Sequence, residues 1–284
     1  MYKYKSLTDV SYQEIHDAFA KAFADYYAPF DLTLEEMAFM IERRGYNPDI
    51  SFGAFYEGEL VGFTLNCMGE WKNILTAYDT GTGIIKEHRK KGLAKQIFIE
   101  SMPVLKKHNI NQYLLETIDE NVPAIELYKK MGFATSREFD FSIVKIEDVN
   151  FSKPDDSFEL EITKNIDWQK FKTFWNENPS WQNSVEAVTR KQNYFVCCVA
   201  KHKDEIVGYG LIQKSNGDVP QLAVKKEFRK KGIGSAILKE LSVHTEADEF
   251  RIINSVRKDE ETNGFFKKIG IVKKGGQLEM TMDL

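Results

Sequence analysis

Residues 79–98, DTGTGIIKEHRKKGLAKQIF, carry a short apolar run into a basic, glycine-containing turn at which a helix begins. The first N–H groups of a helix have no acceptor inside it, and they sit at the positive end of the helix dipole. Such a turn suits a phosphate. The stretch recurs. Residues 221–240 read QLAVKKEFRKKGIGSAILKE, and Arg89-Lys-Lys-Gly-Leu-Ala aligns with Arg229-Lys-Lys-Gly-Ile-Gly. Two such turns about half a chain apart point to two copies of one phosphate-cradling fold within 284 residues.

The elements around the two turns follow the same order. Ser11 with Glu14 reads as a capping box that opens a helix with Ile15, Phe19 and Phe23 on one face. A second helix opens at Asp31 or Thr33 and closes at Gly45. A hairpin follows, with strands 51–56 and 60–68 turning at Glu57-Gly58. The next strand, 74–86, holds two glycines, which suggests a bulge or a close ligand approach. After the turn come a helix over 92–107, a strand over 112–117, a helix over 121–130 and a strand pair over 133–144. The polar run 147–157, with Pro154, reads as a linker. The second half repeats the series. It has a strand at 158–163, helices at 167–177 and 184–191, a hairpin turning at His202–Asp204 and a strand at 220–225. A helix at 232–242, a strand at 249–255, a helix at 258–268 and a strand at 276–282 complete it. Strands alternating with helices, hairpins included, predict a mixed α/β sheet in each half.

Composition narrows the function classes. A net charge of −4 and a pI near 5.9 give no global basic face, which argues against nucleic acid as the main partner. No apolar run is long enough to span a membrane and the N-terminus has no apolar signal region, so a cytoplasmic protein is expected. Cys67, Cys197 and Cys198 form no disulfide framework or CxxC pattern and read as buried thiols. The five histidines show no metal-ligand spacing, so no metal is expected.

The order of strand, Arg-x-x-Gly-x-Gly/Ala turn and helix resembles the acetyl-CoA motif of the GNAT N-acetyltransferases. The downstream residues Glu116-Thr-Ile-Asp-Glu-Asn121, Ala124 and Leu127-Tyr128-Lys-Lys-Met-Gly132-Phe133 resemble that family as well. The resemblance covers about 50–146 and 193–283. It implies two GNAT folds, each a mostly antiparallel sheet with a central splayed parallel strand pair flanked by helices. The domains are then 1–146, a linker at 147–157, and 158–284.

The resemblance also implies roles. Acetyl-CoA as co-substrate is held by the backbone of Lys90, Lys91, Gly92, Leu93, Ala94 and Lys95, with Arg89, Lys90 and Lys91 adding positive potential. A backbone N–H near Gly83–Ile85, with Ile84 and Ile85 the candidates, faces the thioester. Tyr128 resembles the general acid for the departing thiolate, since a phenol is a fitting donor to a thiolate. Asn121 either bonds the pantetheine arm or caps the helix after it. Glu116 is either the base or a solvated carboxylate. Asp79 is a second carboxylate near the cleft, able to pair with a cationic substrate. Tyr26, Tyr27 and Phe30 wall the acceptor site or pack in the core.

The second copy keeps Val224, Arg229, Gly232 and Gly234. It has Phe266 opposite Tyr128 and Asp259 opposite Asn121. The chemistry is therefore expected in the first domain. The second is expected to be degenerate, either binding CoA or merely supporting its neighbour. The leading reading is an acetyl-CoA-dependent N-acetyltransferase acting by direct attack on a primary amine of a small molecule or peptide. The rival is a non-catalytic CoA-binding sensor or scaffold. A monomer or homodimer is expected.

Overall fold

The computed structural model describes residues 1–25, 31–153 and 157–284. In chain order it forms β1 (Lys3–Ser6), α1 (Tyr12–Phe23), α2 (Leu34–Arg44), β2 (Phe52–Tyr56), β3 (Glu59–Trp71) and β4 (Ile74–Ile84). Then come α3 (Leu93–Lys107), β5 (Gln112–Ile118), α4 (Val122–Lys130) and β6 (Ala134–Lys145). The remainder is β7 (Glu159–Thr163), α5 (Trp168–Lys172), α6 (Val185–Arg190), β8 (Phe195–His202), β9 (Glu205–Gln213) and β10 (Gln221–Val224), then α7 (Ile233–Ser242), β11 (Glu249–Val256), α8 (Glu260–Lys268) and β12 (Gly275–Asp283). The chain divides into two compact units. One holds residues 1–117, 121–136 and 279–284, and the other 118–120 and 137–278. Each therefore takes in a short segment from beyond the 147–157 run. Among the described residues no helix is long and apolar enough to cross a membrane.

In the first unit the strand order begins β1-β2-β3-β4-β5. Helices α1 and α2 start as the sequence dictates, each with a full capping box, Ser11 with Glu14 and Thr33 with Glu36. Gly45 ends α2 in the left-handed conformation at φ 93°. Phe19, Met37, Ile41, Phe63, Leu65, Leu93 and Ile97 share one buried cluster, so α1, α2 and α3 all pack on this sheet. The β3–β4 pair is antiparallel and its register shifts between Leu65 and Asn66, opposite Gly81 and Asp79. The glycine-containing run of β4 is thus a bulge. The β4–β5 pair is parallel from Thr76/Gln112 to Asp79/Leu115, and both strands continue beyond it. The bulge sits where the ladder ends, and a bulge bends its strand. Gly83 serves packing: a Cβ there would lie 2.7 Å from Phe63, 2.9 Å from Ala22 and 3.2 Å from Phe23.

In the second unit β7 to β10 form a four-stranded antiparallel sheet, and β11 pairs with residues 139–145 of β6. Segment 134–145 is one continuous strand rather than a pair, for it contains no Gly, Pro or Asn to turn it. Helix α5 stops at Lys172, well short of residue 177, because the chain leaves the helix where the Phe174 carbonyl accepts from Arg229. Val219 donates to the Arg251 carbonyl (2.9 Å) and Arg251 to that of Gly217 (3.0 Å), the start of a parallel ladder. The Ile253 carbonyl, next along β11, accepts from the Asn183 side chain at 2.7 Å. Strands β10 and β11 part from there.

Gly83→Ala should destabilise the fold by about 1–3 kcal/mol through overpacking between α1 and β4. A lowered denaturation midpoint checks this; an unchanged one would mean that α1 shifts freely on the sheet.

Candidate functional site

Both basic turns are built alike. After β4 a single 3-10 turn, Lys86–His88, leads to Arg89 in an extended conformation (φ −67°, ψ 164°). Lys90 then sits at φ 61° and Gly92 at φ 77° before α3 begins. After β10 the same path runs through Lys226–Phe228, Arg229 (φ −67°, ψ 164°), Lys230 (φ 61°) and Gly232 (φ 81°). The first bonds within the helices run from Gln96 to Gly92 (3.1 Å) and from Ala236 to Gly232 (2.9 Å). The N–H groups of Leu93–Lys95 and Ile233–Ser235 precede the first acceptors of their helices. A Cβ on Gly92 would meet nothing within 4 Å, so its backbone conformation, not crowding, demands glycine. Lys90, Lys91 and Lys95 are exposed, and Leu93 is buried in the core.

The arginines do something other than face a phosphate. Arg89 donates from Nε to the Ile84 carbonyl (3.0 Å) and from Nη2 to the Ala22 carbonyl (2.8 Å). It also pairs with both oxygens of Asp25, at 2.9 and 2.7 Å. Arg229 repeats this with the carbonyls of Val224 (2.8 Å) and Phe174 (2.8 Å), and with Asn176 (2.7 Å) and Glu261 (2.6 Å). Each guanidinium pins its turn to the strand end and to the preceding loop.

Strand edges narrow the N–H expected near the thioester. Ile85 donates to the Val61 carbonyl (3.0 Å) on β3, so its N–H faces away from the gap. Successive N–H groups of an extended chain point to opposite sides, which turns that of Ile84 toward the side from which β5 has departed. Lys225 donates likewise to Val207 (2.8 Å), which gives Val224 the same outlook. The Ile85 N–H is thus taken up by β3, a correction to the sequence expectation, and the N–H groups that face the gap are those of Ile84 and Val224.

The first unit gathers titratable groups. Asp79 is 7% exposed, and its carboxylate accepts from the Gly81 N–H (2.9 Å), the Thr82 hydroxyl (2.7 Å) and the Tyr128 hydroxyl. Burial pushes its pKa up from 3.8 to about 6, against the opposing pull of these donors. Glu116 is half-buried and accepts from the Tyr78 hydroxyl at 3.0 Å. Tyr78 is itself held protonated, its pKa raised first by burial and then by the Glu116 charge. Asn121 caps α4, its side chain accepting from Ala124 at 3.4 Å; Asp259 caps α8 in the same way through Thr262 at 3.1 Å. These two positions are therefore alike in structure, and Tyr128 against Phe266 is the sharper contrast. Asp79, Thr82, Phe98, Tyr113 and Tyr128 border a space of only about 10 Å³. Tyr26, Tyr27 and Phe30 lie outside the described residues.

The second unit holds the room. A cleft of about 1130 Å³ lies beside Arg229–Ser235, between β10, β11 and the first turn of α8. Neutral side chains cross its floor. Trp175 Nε1 donates to the Tyr209 hydroxyl (2.5 Å), Tyr209 to Gln221 Oε1 (2.7 Å), Gln221 to the Asn183 carbonyl (2.7 Å), and Asn183 to the Ile253 carbonyl (2.7 Å). Asn183 thus spans the parted strands. Gly234 abuts Phe265, where a Cβ would come within 3.2 Å of the ring. No local pattern flagged Tyr209, Gln221 or Asn183. A polar residue at alternate positions of an apolar strand, as Gln221 is, was the available signal.

Residues 13–133 match the model of the acetyltransferase (GNAT) family, and residues 159–281 that of an acetyltransferase (GNAT) domain. The chain belongs to the GNAT family, as a tandem of two such domains. The N-alpha-acetyltransferase MAK3 of Arabidopsis thaliana is 26% identical over 90 residues, covering 32% of this chain and 47% of that protein. Streptothricin acetyltransferase of Streptomyces lavendulae is 30% identical over 78 residues, covering 28% and 40%. The match thus spans less than half of the length of these relatives. A tandem GNAT protein from the clavulanic acid biosynthesis pathway superposes with a TM-score of 0.72 at 12% identity, over 100% of this chain and 98% of that one. A GCN5-related N-acetyltransferase from Sphaerobacter thermophilus gives 0.71 at 12% identity, over 99% and 95%. At such identity they show the fold.

The raised Asp79 pKa has a sign that can be measured. The folded state favours the protonated acid, so this stabilisation is full below about pH 4 and is lost as pH rises through about 6. A rise from 3.8 to about 6 is worth about 3 kcal/mol. Asp79→Asn should flatten the fall in melting temperature between roughly pH 4 and 7; parallel curves for the two proteins would contradict the buried charge.

Proposed function

We propose that this tandem GNAT protein is an acetyl-CoA-dependent N-acetyltransferase that moves an acetyl group to a primary amine of a small molecule or peptide, by direct attack in a ternary complex. The observation that carries the reading is the twice-built turn beside a parted parallel strand pair. The N–H groups of Leu93–Lys95, the helix dipole and the exposed Lys90, Lys91 and Lys95 suit a pyrophosphate. The Ile84 N–H is the donor for the thioester oxygen, where a charge develops; one such donor is worth about 3 kcal/mol. The relatives named for N-alpha-acetyl transfer and for streptothricin support amine acetylation without choosing between a peptide and a small molecule.

Chemistry is assigned to the first unit. Tyr128 gives its proton to the departing thiolate. Aligned with the first unit's residues, the second has Phe266, Asn254 and Val219 where Tyr128, Glu116 and Asp79 stand. Its cleft therefore has space and a phosphate turn but no proton donor or acceptor at these places. That combination favours a second reading for the second unit alone, in which it holds acetyl-CoA or CoA without turning it over.

A panel of amines with acetyl-CoA, followed by thiol release, tests the activity. Turnover with at least one amine is expected; tight acetyl-CoA binding with no turnover on any amine would favour the binding module. Tyr128→Phe should lower kcat on the order of 100-fold, as removal of a general acid does, with little change in acetyl-CoA affinity. Calorimetry separates the two turns. Gly92→Val, strained at its positive φ, should abolish turnover. Gly232→Val should remove a binding site and spare turnover, and the reverse pattern would move the chemistry to the second unit.

A further inference from the structure

The assignment of Tyr128 leaves open where the proton of the attacking amine goes, and the structure offers two carboxylates. Glu116 faces Tyr78, a buried phenol that donates to it at 3.0 Å and carries no proposed role in the reaction. Asp79 faces Tyr128 itself. Its place is set by the β4 bulge. The register shift opposite Leu65 and Asn66 makes room for an extra residue, and the Gly81 N–H folds back on the Asp79 carboxylate at 2.9 Å. Thr82 adds a donor at 2.7 Å, with Thr64 Oγ1 2.9 Å behind it.

We propose that Asp79 acts through Tyr128 as a positioning residue and proton reserve, so that one carboxylate–phenol pair handles both proton transfers of the reaction. The inference rests on the reading of Tyr128 given above. A neutral amine attacks the thioester carbon and the C–N bond forms. A proton leaves the nitrogen for the Tyr128 oxygen while the Tyr128 hydroxyl proton passes to Asp79. The C–S bond then breaks, and the sulfur departs with the electron pair. It takes a proton from Tyr128, which recovers its own from Asp79. The net change is one proton moved from nitrogen to sulfur, and both side chains end as they began.

The environment suits a reserve. Burial holds the Asp79 pKa near 6, so the group is ionised at neutral pH yet accepts a proton far more readily than a solvated aspartate. Among the described residues the titratable groups that face it are few. Tyr128 approaches from α4, and Tyr113 from β5 feels its charge while donating to Asn66 at 2.7 Å. The neighbours from β3 and β4, Thr64, Gly81 and Thr82, do not titrate. From α3, Ala94 and Phe98 close the space with apolar surface. At the aligned positions of the second unit, Val219 and Phe266, both members of the pair are absent together.

Two measurements decide the matter. With tyrosine labelled at Cζ, the Tyr128 resonance (assigned by its loss in Tyr128→Phe) should shift with a midpoint near pH 6, and Asp79→Asn should abolish that shift. This needs no acceptor. With the best acceptor amine, kcat/KM should fall below about pH 6 in the wild type and in Glu116→Gln. In Asp79→Asn the acid limb should vanish and kcat should drop on the order of 100-fold at pH 8. Asp79→Asn combined with Tyr128→Phe should be no slower than the slower single variant. A limb that persists in Asp79→Asn and disappears in Glu116→Gln would overturn the proposal in favour of Glu116. An unshifted Tyr128 resonance through pH 6 would overturn it directly. If Tyr128→Phe turns over at the wild-type rate, it is the reading of Tyr128 that fails.

Discussion

Each cleft depends on an arginine that holds the chain where a strand gives way to a helix. Lys90 and Gly92 both take the left-handed conformation there, and the hydrogen bonds within the turn tie it only to itself. Arg89 ties it to the Ile84 carbonyl at the strand end and to Ala22 and Asp25 at the end of α1; Arg229 does the same with Val224, Phe174, Asn176 and Glu261. The planar guanidinium, with several donors in one rigid fork, suits this three-way tie better than an ammonium would. The positive charge is spent on the fold. What remains for an anion is the row of N–H groups at the helix start and the exposed lysines around it.

The two units share this frame and spend the space beside it differently. In the first, polar and aromatic side chains converge behind the bulge, and burial raises the Asp79 pKa at a cost in stability above about pH 6. A strained or desolvated charge of this kind is retained more readily at a functional site than elsewhere. In the second, Asn183 takes the Ile253 carbonyl and bridges the parted strands, and a cleft of about 1130 Å³ stays open above an uncharged hydrogen-bonded floor. In one copy a buried carboxylate meets a phenol, and in the other a cleft stays open with Val219 and Phe266 at the aligned positions.

Much of the architecture was legible because its signals are local. The capping boxes at Ser11 and Thr33, the terminal Gly45 and the hairpin at Glu57-Gly58 each specify a backbone conformation within a few residues. The DTGTG run is a bulge, one of the two readings its glycines allowed. The candidate site was legible in part. Tyr128 and Asp79 were both singled out, but nothing in their spacing places one against the other. Gly83 was read with the ligand side of the strand, yet it is small because α1 packs there. Asn121 caps its helix, and Asp259 does so equally well, because either side chain offers an oxygen to the free N–H groups.

By itself the sequence determined the repeat, the order of the elements, the turn that both halves share and the family to which they belong. These follow from residues close together in the chain, whose backbone preferences and hydrophobic spacing act before any distant contact forms. Only the tertiary structure decided which carboxylate meets Tyr128, that both arginines anchor rather than reach outward, and that a cleft of about 1130 Å³ lies in the second unit. Those outcomes depend on strand register and on helices packing across a sheet. A one-residue bulge sets which side chains face each other, and it does so between positions far apart in the chain.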